Sequence, residues 1–383
     1  MAKRTSDNRT WVEVSKTALL HNVAAFRSRL KPEVKFCAVV KANAYGHGLV
    51  ETAKAIAPKV DWFAVDNIDE ALALKKARIT KPILVLGWTP EWLMHKAIQQ
   101  RIRLTVSTPE QVKAAAAVAK KAGKPMFLHL KIDTGTTRQG ANVKQIPDIA
   151  AIINASKKRL VIEGFSTHYA NIEDTTDHAY ATGQLERFWQ AEAYAEAQGL
   201  KATVKHTACS AAALLFPETH FNMVRVGIGT YGLWPSRETL ASVGERGLDI
   251  ELEPALAWRT RIALIRDVKR GTPVSYGLTE TMKSDGRVAV LPVGYWDGYD
   301  RGLSSVGEVL IRGQRARVIG RVCMNMTMVD VTGIPDVKPE DVVTLLGGDD
   351  HDAVTAEQIA SKLGTINYEV VTRINPLLPR IIV

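Results

Sequence analysis

Between residue 34 and about residue 230 the chain alternates two textures. Short apolar and β-branched runs (VKFCAVV, WFAVD, PILVLG, IRLTVS, PMFLHLKID, LVIEGFSTH, ATVKHT and FNMVRVGIG) are separated by amphipathic stretches such as LVETAKAIA, IDEALALKKA, PEWLMHKAIQQ and TPEQVKAAAAVAKKAG. The runs predict strands and the stretches predict helices. The last stretch opens Thr108-Pro109-Glu110, a capping residue followed by proline at the first helical position, and stops at Gly123. Strands alternating with helices imply parallel βαβ units. Eight such units in about 200 residues fit a closed barrel better than an open sheet.

Past residue 245 or so the pattern changes. EPALAWRTRIALIRDV, TPVSYG, RVAVLPVGY, EVLIRGQRARVIGRVCMNMTMVDV and DVVTLLGG are extended runs punctuated by Gly, Pro and Asp, and helical periodicity returns only at TAEQIASKLG. This predicts a mostly antiparallel β domain with one short helix near its end. SVGERGLDIELEP is the expected linker. The predicted fold class is therefore α/β: a (β/α)8 TIM-type barrel over residues 14–245, then a β domain over 246–383 that residues 1–13 join.

Composition changes this picture little. The 383 residues are 46% hydrophobic and 23% charged, an ordinary globular balance that needs no disulfide or metal to fold. The three cysteines, Cys37, Cys209 and Cys323, are odd in number and unclustered, which suits a reducing compartment and speaks against a cysteine metal site. The opening MAKRTSDNRTWVEVSKTALL has no apolar h-region and no small-residue cleavage site. No apolar run approaches the roughly 18 residues of a membrane span. A cytoplasmic protein without a membrane partner is expected. The net charge of +10 comes from dispersed Lys and Arg with no basic run interleaved with aromatics. That predicts a solvated positive surface favouring an anionic substrate, rather than a nucleic-acid partner.

A barrel places its chemistry at the C-terminal ends of its strands. Lys41 follows the apolar CAVV, and the sequel Ala42–Gly48 offers two glycines, the Tyr45 hydroxyl and a helix start, suited to close approach by a small anion. Taken alone, a strand-end lysine is an ordinary barrel-mouth cation. The seventh barrel strand ends in His206-Thr207-Ala208-Cys209-Ser210, and the eighth gives Arg225-Val226-Gly227-Ile228-Gly229. Loops after these two strands commonly hold phosphate in such barrels, although glycines also simply turn a chain and Ser210 could simply cap a helix. An amine and a phosphate cradle on one rim are what pyridoxal 5'-phosphate requires. Arg225 would face its pyridine nitrogen and, being unable to give up its proton, leave that nitrogen unprotonated. His168, at the end of the sixth barrel strand, would hydrogen-bond Arg225.

At AVVKANAYGHG (38–48) the chain resembles the alanine racemase family's cofactor-attachment signature. LKIDTGTTRQG, FSTHYANIE, VRVGIGTYGL, VSYG, LPVGYWDGYDR, GRVCMNM and INYEVVTRI follow in the family's order, so the resemblance covers nearly the whole length. It implies a pyridoxal-phosphate-dependent racemase that interconverts L- and D-alanine through an aldimine at Lys41, supplying D-alanine for peptidoglycan. Lys41 would serve one face of the substrate. Tyr276, supplied by the second subunit of a head-to-tail homodimer, would serve the other. Phosphate contacts would come from Tyr45, Ser210, Gly227, Ile228 and Tyr368, with Arg225 and His168 at the ring. Arg138 and the Met324 backbone would bind the substrate carboxylate, Tyr295 would line the entry, and Lys131 matches a lysine carbamylated in several members.

Two departures stand out. DTGTTRQG replaces the usual DTGMGRLG, altering the loop that carries Arg138 at Thr136, Thr137 and Gln139. Asn325 replaces an acid beside Met324. Two alternatives compete: a broader-specificity amino-acid racemase, and a barrel-type pyridoxal-phosphate decarboxylase. The decarboxylases usually set an acid against the pyridine nitrogen, where this chain has Arg225. A cofactor carrier without catalysis would resemble the barrel alone.

Overall fold

The computed structural model describes residues 7–348 and 352–383, so the basic start of the chain, residues 1–6, lies outside the described residues. The chain divides into two compact units. One comprises Thr17–Ala44 and Ala53–Glu253; the other comprises the N-terminal segment through Lys16, Tyr45–Thr52 and Pro254–Val383. The first strand, β1 (Thr10–Val14), lies in the second of these.

The first unit is the barrel. Its strands are β2 (Lys35–Val39), β3 (Trp62–Val65), β4 (Ile83–Val85), β5 (Arg103–Val106), β6 (Met126–Lys131), β7 (Leu160–Ser166), β8 (Val204–His206) and β9 (Met223–Val226). All pair in parallel in one eight-stranded sheet ordered β8-β7-β6-β5-β4-β3-β2-β9. The backbone N–H of Arg225 in β9 donates to Ala208 O just past β8 at 3.0 Å, drawing the two ends of the sheet together. The predicted eight-strand barrel is thus the observed one. Near-continuous burial along β2, β3, β4 and β9 reflects strands covered on both faces. The helices between them begin and end as their sequences dictate. In Pro109–Ala122, Thr108 accepts from Gln111 N–H at 3.3 Å and Gly123 closes the helix with φ 65°.

The second unit is built from β10 (Leu256–Arg261), β11 (Leu264–Val268), β12 (Gly286–Leu291), β13 (Glu308–Ile311), β14 (Gln314–Arg317), β15 (Thr327–Asp330), β16 (Val342–Gly348), β17 (Ala353–Val354) and β18 (Arg380–Ile382), with β1. One sheet runs β14-β13-β16-β10-β1-β18, with β17 on β16, and a second runs β11-β12-β15. Pairing is antiparallel except where β18 lies parallel to β1. The strict buried–half-buried alternation of β10 is the mark of a sheet with one covered face.

Two local expectations are corrected. The segment read as linker begins as helix, Arg237–Glu245, because the Ser236 hydroxyl caps it by accepting from Thr239 N–H at 2.9 Å and Thr239, Ser242 and Val243 are buried. A second short helix, Asn367–Thr372, follows the expected one at Ala356–Leu363. Its β-branched sequence hides it, and buried Asn367 and Val371 hold it, with Asn367 donating to Glu357 at 2.9 Å. Among the described residues no helix is long and apolar enough to cross a membrane.

Candidate active site

The barrel rim gathers cations. Lys41 stands just past β2, Lys131 ends β6, Arg138 lies on the following loop, and Arg225 sits inside β9 opposite Cys37 of β2. They act on one another: burial first, then the charges of Arg225, Arg138 and Lys41, push Lys131 down to about 7. The same sources, with Lys131, push His168 far below the usual histidine range, so its ring is neutral. A rim of this sign suits an anionic ligand.

The chain leaves Lys41 by an unusual path. Ala42, Asn43 and Ala44 all adopt left-handed angles (φ 53°, 54° and 54°), where a helix start was expected. Each such non-glycine residue costs about 1–2 kcal/mol, a cost the surroundings must offset. Ala44 N–H donates to Val40 O at 2.8 Å and Asn43 N–H to Glu70 at 3.3 Å, which holds the turn. The segment's continuation belongs to the other unit. There the Tyr45 and Tyr368 rings lie 6.1 Å apart, and a Cβ on Gly46 would stand 2.0 Å from Val371 O, so only glycine fits.

Arg225 is the most constrained side chain of the rim. Nη1 donates to Nδ1 and to the carbonyl of His206, both at 2.6 Å. Nη2 donates to the carbonyls of Thr167 (2.9 Å) and Thr207 (3.0 Å) and lies 3.4 Å from His168 Nδ1. Both terminal nitrogens are thus committed, which leaves Nε–H for a ligand. His206 is the tight histidine partner and His168 the looser one. The sequence reading singled out His168 alone; the signal it passed over is a histidine ending VKH beside an arginine-bearing strand.

Beside it, the Ser210 hydroxyl accepts from Gly227 N–H at 3.0 Å and Gly229 N–H at 3.5 Å, leaving its own proton to donate outward. With Gly227 and Gly229 N–H engaged by Ser210 and Thr230 N–H by Gly227 O, the uncapped turn that begins at Ile228 offers an anion its first N–H, that of Ile228. These residues fit the phosphate, pyridine nitrogen and aldehyde of pyridoxal phosphate by donor chemistry: a hydroxyl and a backbone N–H, a guanidinium N–H, and an amine.

The Arg138 loop is tied down by hydrogen bonds of its own residues. Asp133 accepts from the N–H groups of Gly135, Thr136 and Thr137 at 3.0, 3.0 and 3.2 Å. Thr136 Oγ1 donates to His168 O at 2.6 Å, and Gln139 Nε2 to Leu86 O at 3.2 Å.

In the other unit three loops converge. Ser275 Oγ donates to Arg321 O at 2.7 Å, Tyr295 N–H to Cys323 O at 3.0 Å, and Trp296 N–H to Met324 O at 3.0 Å. The loops present Tyr276, Met324 and Tyr295 at 73%, 56% and 42% exposure. Tyr276 is flanked by Ser275 at φ 70°, costly for a residue with a Cβ, and by Gly277 at φ 77°, which glycine adopts freely.

Comparison with known proteins agrees with this layout. The family model for the alanine racemase N-terminal domain matches residues 14–235, and that for the C-terminal domain matches residues 255–382. The chain is 40% identical over 378 residues to an alanine racemase of Desulfovibrio desulfuricans, covering 98% of this chain and 99% of that one. It superposes with TM-score 0.91 on the crystal structure of alanine racemase from Bacillus anthracis with bound L-Ala-P, at 35% identity and covering 98% and 95% of the two chains. A histidine racemase from Leuconostoc mesenteroides superposes with TM-score 0.88 at 28% identity, covering 98% of each chain.

Proposed function

The chain belongs to the alanine racemase family of isomerases, and from that premise we propose that it interconverts L- and D-alanine on pyridoxal phosphate, with Lys41 and Tyr276 moving the proton. The observation that carries this reading is Arg225: a buried guanidinium fixed through both terminal nitrogens, with Nε–H spare, on a rim that also bears Lys41. When bound, the cofactor supplies an aldehyde for the substrate amine and a ring that withdraws electrons from the α-carbon. Lys41 would hold it through that aldehyde. Ser210 and the N–H of Ile228 would grip the phosphate, with Gly227 acting through the Ser210 hydroxyl that its N–H bonds, and Tyr45 and Tyr368 are added to this grip by the family motif. Arg225 would give the ring nitrogen a hydrogen bond but never a proton, which would keep electron withdrawal modest and favour return of a proton to the same carbon. His168 backs Arg225 as a neutral ring.

Racemisation removes a proton from one face of the α-carbon and returns one to the other. Lys41 serves the face of D-alanine and the Tyr276 phenol that of L-alanine, so the substrate need not turn over. Tyr276, with Tyr295 at the entry and the Met324 backbone at the substrate carboxylate, comes from a second copy in a head-to-tail homodimer. What supports this is that the three lie exposed together on hydrogen-bonded loops that their own unit does not cover. Arg138 takes the other side of the carboxylate. Lys131, pushed down to about 7, has a large neutral and nucleophilic fraction near physiological pH. It adds carbon dioxide, releasing a proton, and the resulting carbamate pairs with Arg138. The D-alanine formed serves cell-wall synthesis.

A broader substrate range is the second reading, favoured by the histidine racemase likeness. Incubating the holoenzyme with a panel of L-amino acids, read by chiral chromatography, decides between them. Alanine should racemise fastest, and Lys41→Ala should lose both the cofactor's visible band and racemisation, by 10⁴-fold or more on the order of a nucleophile's removal. An unchanged spectrum in that variant contradicts the reading.

A further inference from the structure

Behind Arg225 the barrel interior holds a chain of hydrogen bonds that the reading above does not use. Arg225 Nη1 lies 2.6 Å from Nδ1 of His206, and Nε2 of His206 lies 2.8 Å from Nδ1 of His129. Nε2 of His129 lies 3.4 Å from Oε2 of Glu163. Arg103 closes the series with two bonds to Glu163, Nε at 2.8 Å and Nη2 at 3.1 Å.

The direction of every bond follows from chemistry. A guanidinium only donates, so Nδ1 of His206 accepts. A neutral imidazole then carries its proton on Nε2 and gives it to Nδ1 of His129, whose own proton must sit on Nε2. That proton points at Glu163, which as a carboxylate only accepts. The two ends favour the same tautomers, and together they fix them, so loss of either end weakens the bias on both rings. Both rings are neutral: burial, then Arg225, pushes His206 far below the usual range, and burial outweighs Glu163 in pushing His129 down. Burial raises the Glu163 carboxyl, but bonds from His129 and Arg103 overcome this and hold it at about 2.

The chain is built into the strands. Pairing of β6 with β7 shifts register between Leu128 and His129, and a Cβ on Gly164 would stand 2.3 Å from His129 Nδ1. The Trp62 ring packs edge-on to His129 at 5.6 Å, and Arg103 lies over Trp62 at 5.0 Å.

We infer that Glu163 is a remote positioning residue: through His129 and His206 it fixes the one tautomer that lets Arg225 be held by Nη1 with Nε–H turned to the ligand. With the opposite tautomers, an N–H of His206 would face the guanidinium donor and expel it. This deepens the assignment of Arg225 made above, and its first test is independent of that assignment.

In ¹⁵N-histidine-labelled apoprotein, His129 and His206 should both read as neutral Nε2–H rings. A protonated or Nδ1–H His206 overturns the inference whatever any variant does. Replacing the outer pair together, Glu163→Met with Arg103→Met, leaves no unpaired charge. It should give His206 mixed tautomers, weaken binding of pyridoxal phosphate to the apoenzyme on the order of tenfold by equilibrium dialysis, and shift the visible band of the holoenzyme. Circular dichroism and thermal melting verify folding. An unchanged His206 tautomer, or a changed tautomer with unchanged affinity and band, overturns the inference. If Arg225→Met is equally without effect on affinity and band, the assignment of Arg225 to the cofactor falls as well.

Discussion

The barrel rim and the tyrosine-bearing loops solve opposite problems. On the rim, Arg225 and Ser210 are buried and tied by hydrogen bonds to carbonyls, backbone N–H groups and a histidine. In the loops around Tyr276, Tyr295 and Met324, the backbone is well bonded but the side chains lie in solvent. Preorganisation of donors is what holding an anionic cofactor demands. Exposed side chains on fixed loops gain a purpose only when something covers them, which for an aromatic, partly apolar group means another protein surface. The difference teaches that one unit fixes its polar side chains by hydrogen bonds of its own, while the other fixes only the backbone and leaves its side chains displayed.

That contrast can be broken most severely at Tyr276. Tyr276→Phe should cut racemisation on the order of 10²–10⁴-fold while leaving the melting temperature and the cofactor band unchanged. Isotope exchange should show the loss concentrated on proton removal from L-alanine. Equal loss from both enantiomers would contradict the assignment of faces. A smaller effect is expected from Gly294→Ala, whose Cβ would stand 2.1 Å from Cys323 O and push apart the loops bearing Tyr295 and Met324. It should cost about 1–3 kcal/mol in denaturant unfolding and raise KM, with the barrel's cofactor band intact. A lost band would mean that the two regions are not separable in this way.

The effect on activity is smallest on the rim, where the expected readout is a slope with pH. Lys131 falls to about 7 in the folded protein from an ordinary 10.5. Between these values the unfolded chain keeps the proton that the folded chain has released, so stability rises with pH across that window. Lys131→Met should remove about one proton's worth of slope, ~1.4 kcal/mol per pH unit, from apoprotein unfolding in carbonate-free buffer. An identical slope in the variant would show that Lys131 is an ordinary surface amine. In wild type, ¹³C-bicarbonate should yield a carbamate resonance that this variant lacks.

Much of this was legible in the sequence because it was written in periodicity. The eight barrel strands are apolar runs bounded by helices whose caps, such as Thr108 and Gly123, are explicit. Lys41 and Ser210 stand out in the sequence because strand ends are where such a fold puts its polar groups, and Arg225 because it is a cation inside an apolar strand. What escaped notice depends on three-dimensional pairing. His206 and His129 look like single polar residues in apolar strands, and only the register of β6, β7 and β8 brings them together. The left-handed turn at Ala42–Ala44 also could not be read, since alanine ordinarily signals a right-handed helix. The roles of Thr136 and Gln139 became clear only once their acceptors, His168 O and Leu86 O, were placed.

The central claim is that one molecule's barrel works with another molecule's loops, and subunit mixing tests it most directly. Lys41→Ala and Tyr276→Phe protein, each nearly inactive, are combined under conditions where subunit exchange is verified by mass. Random pairing leaves one intact site in each mixed dimer, so activity should recover to about one quarter of wild type. No recovery after verified exchange would contradict the account.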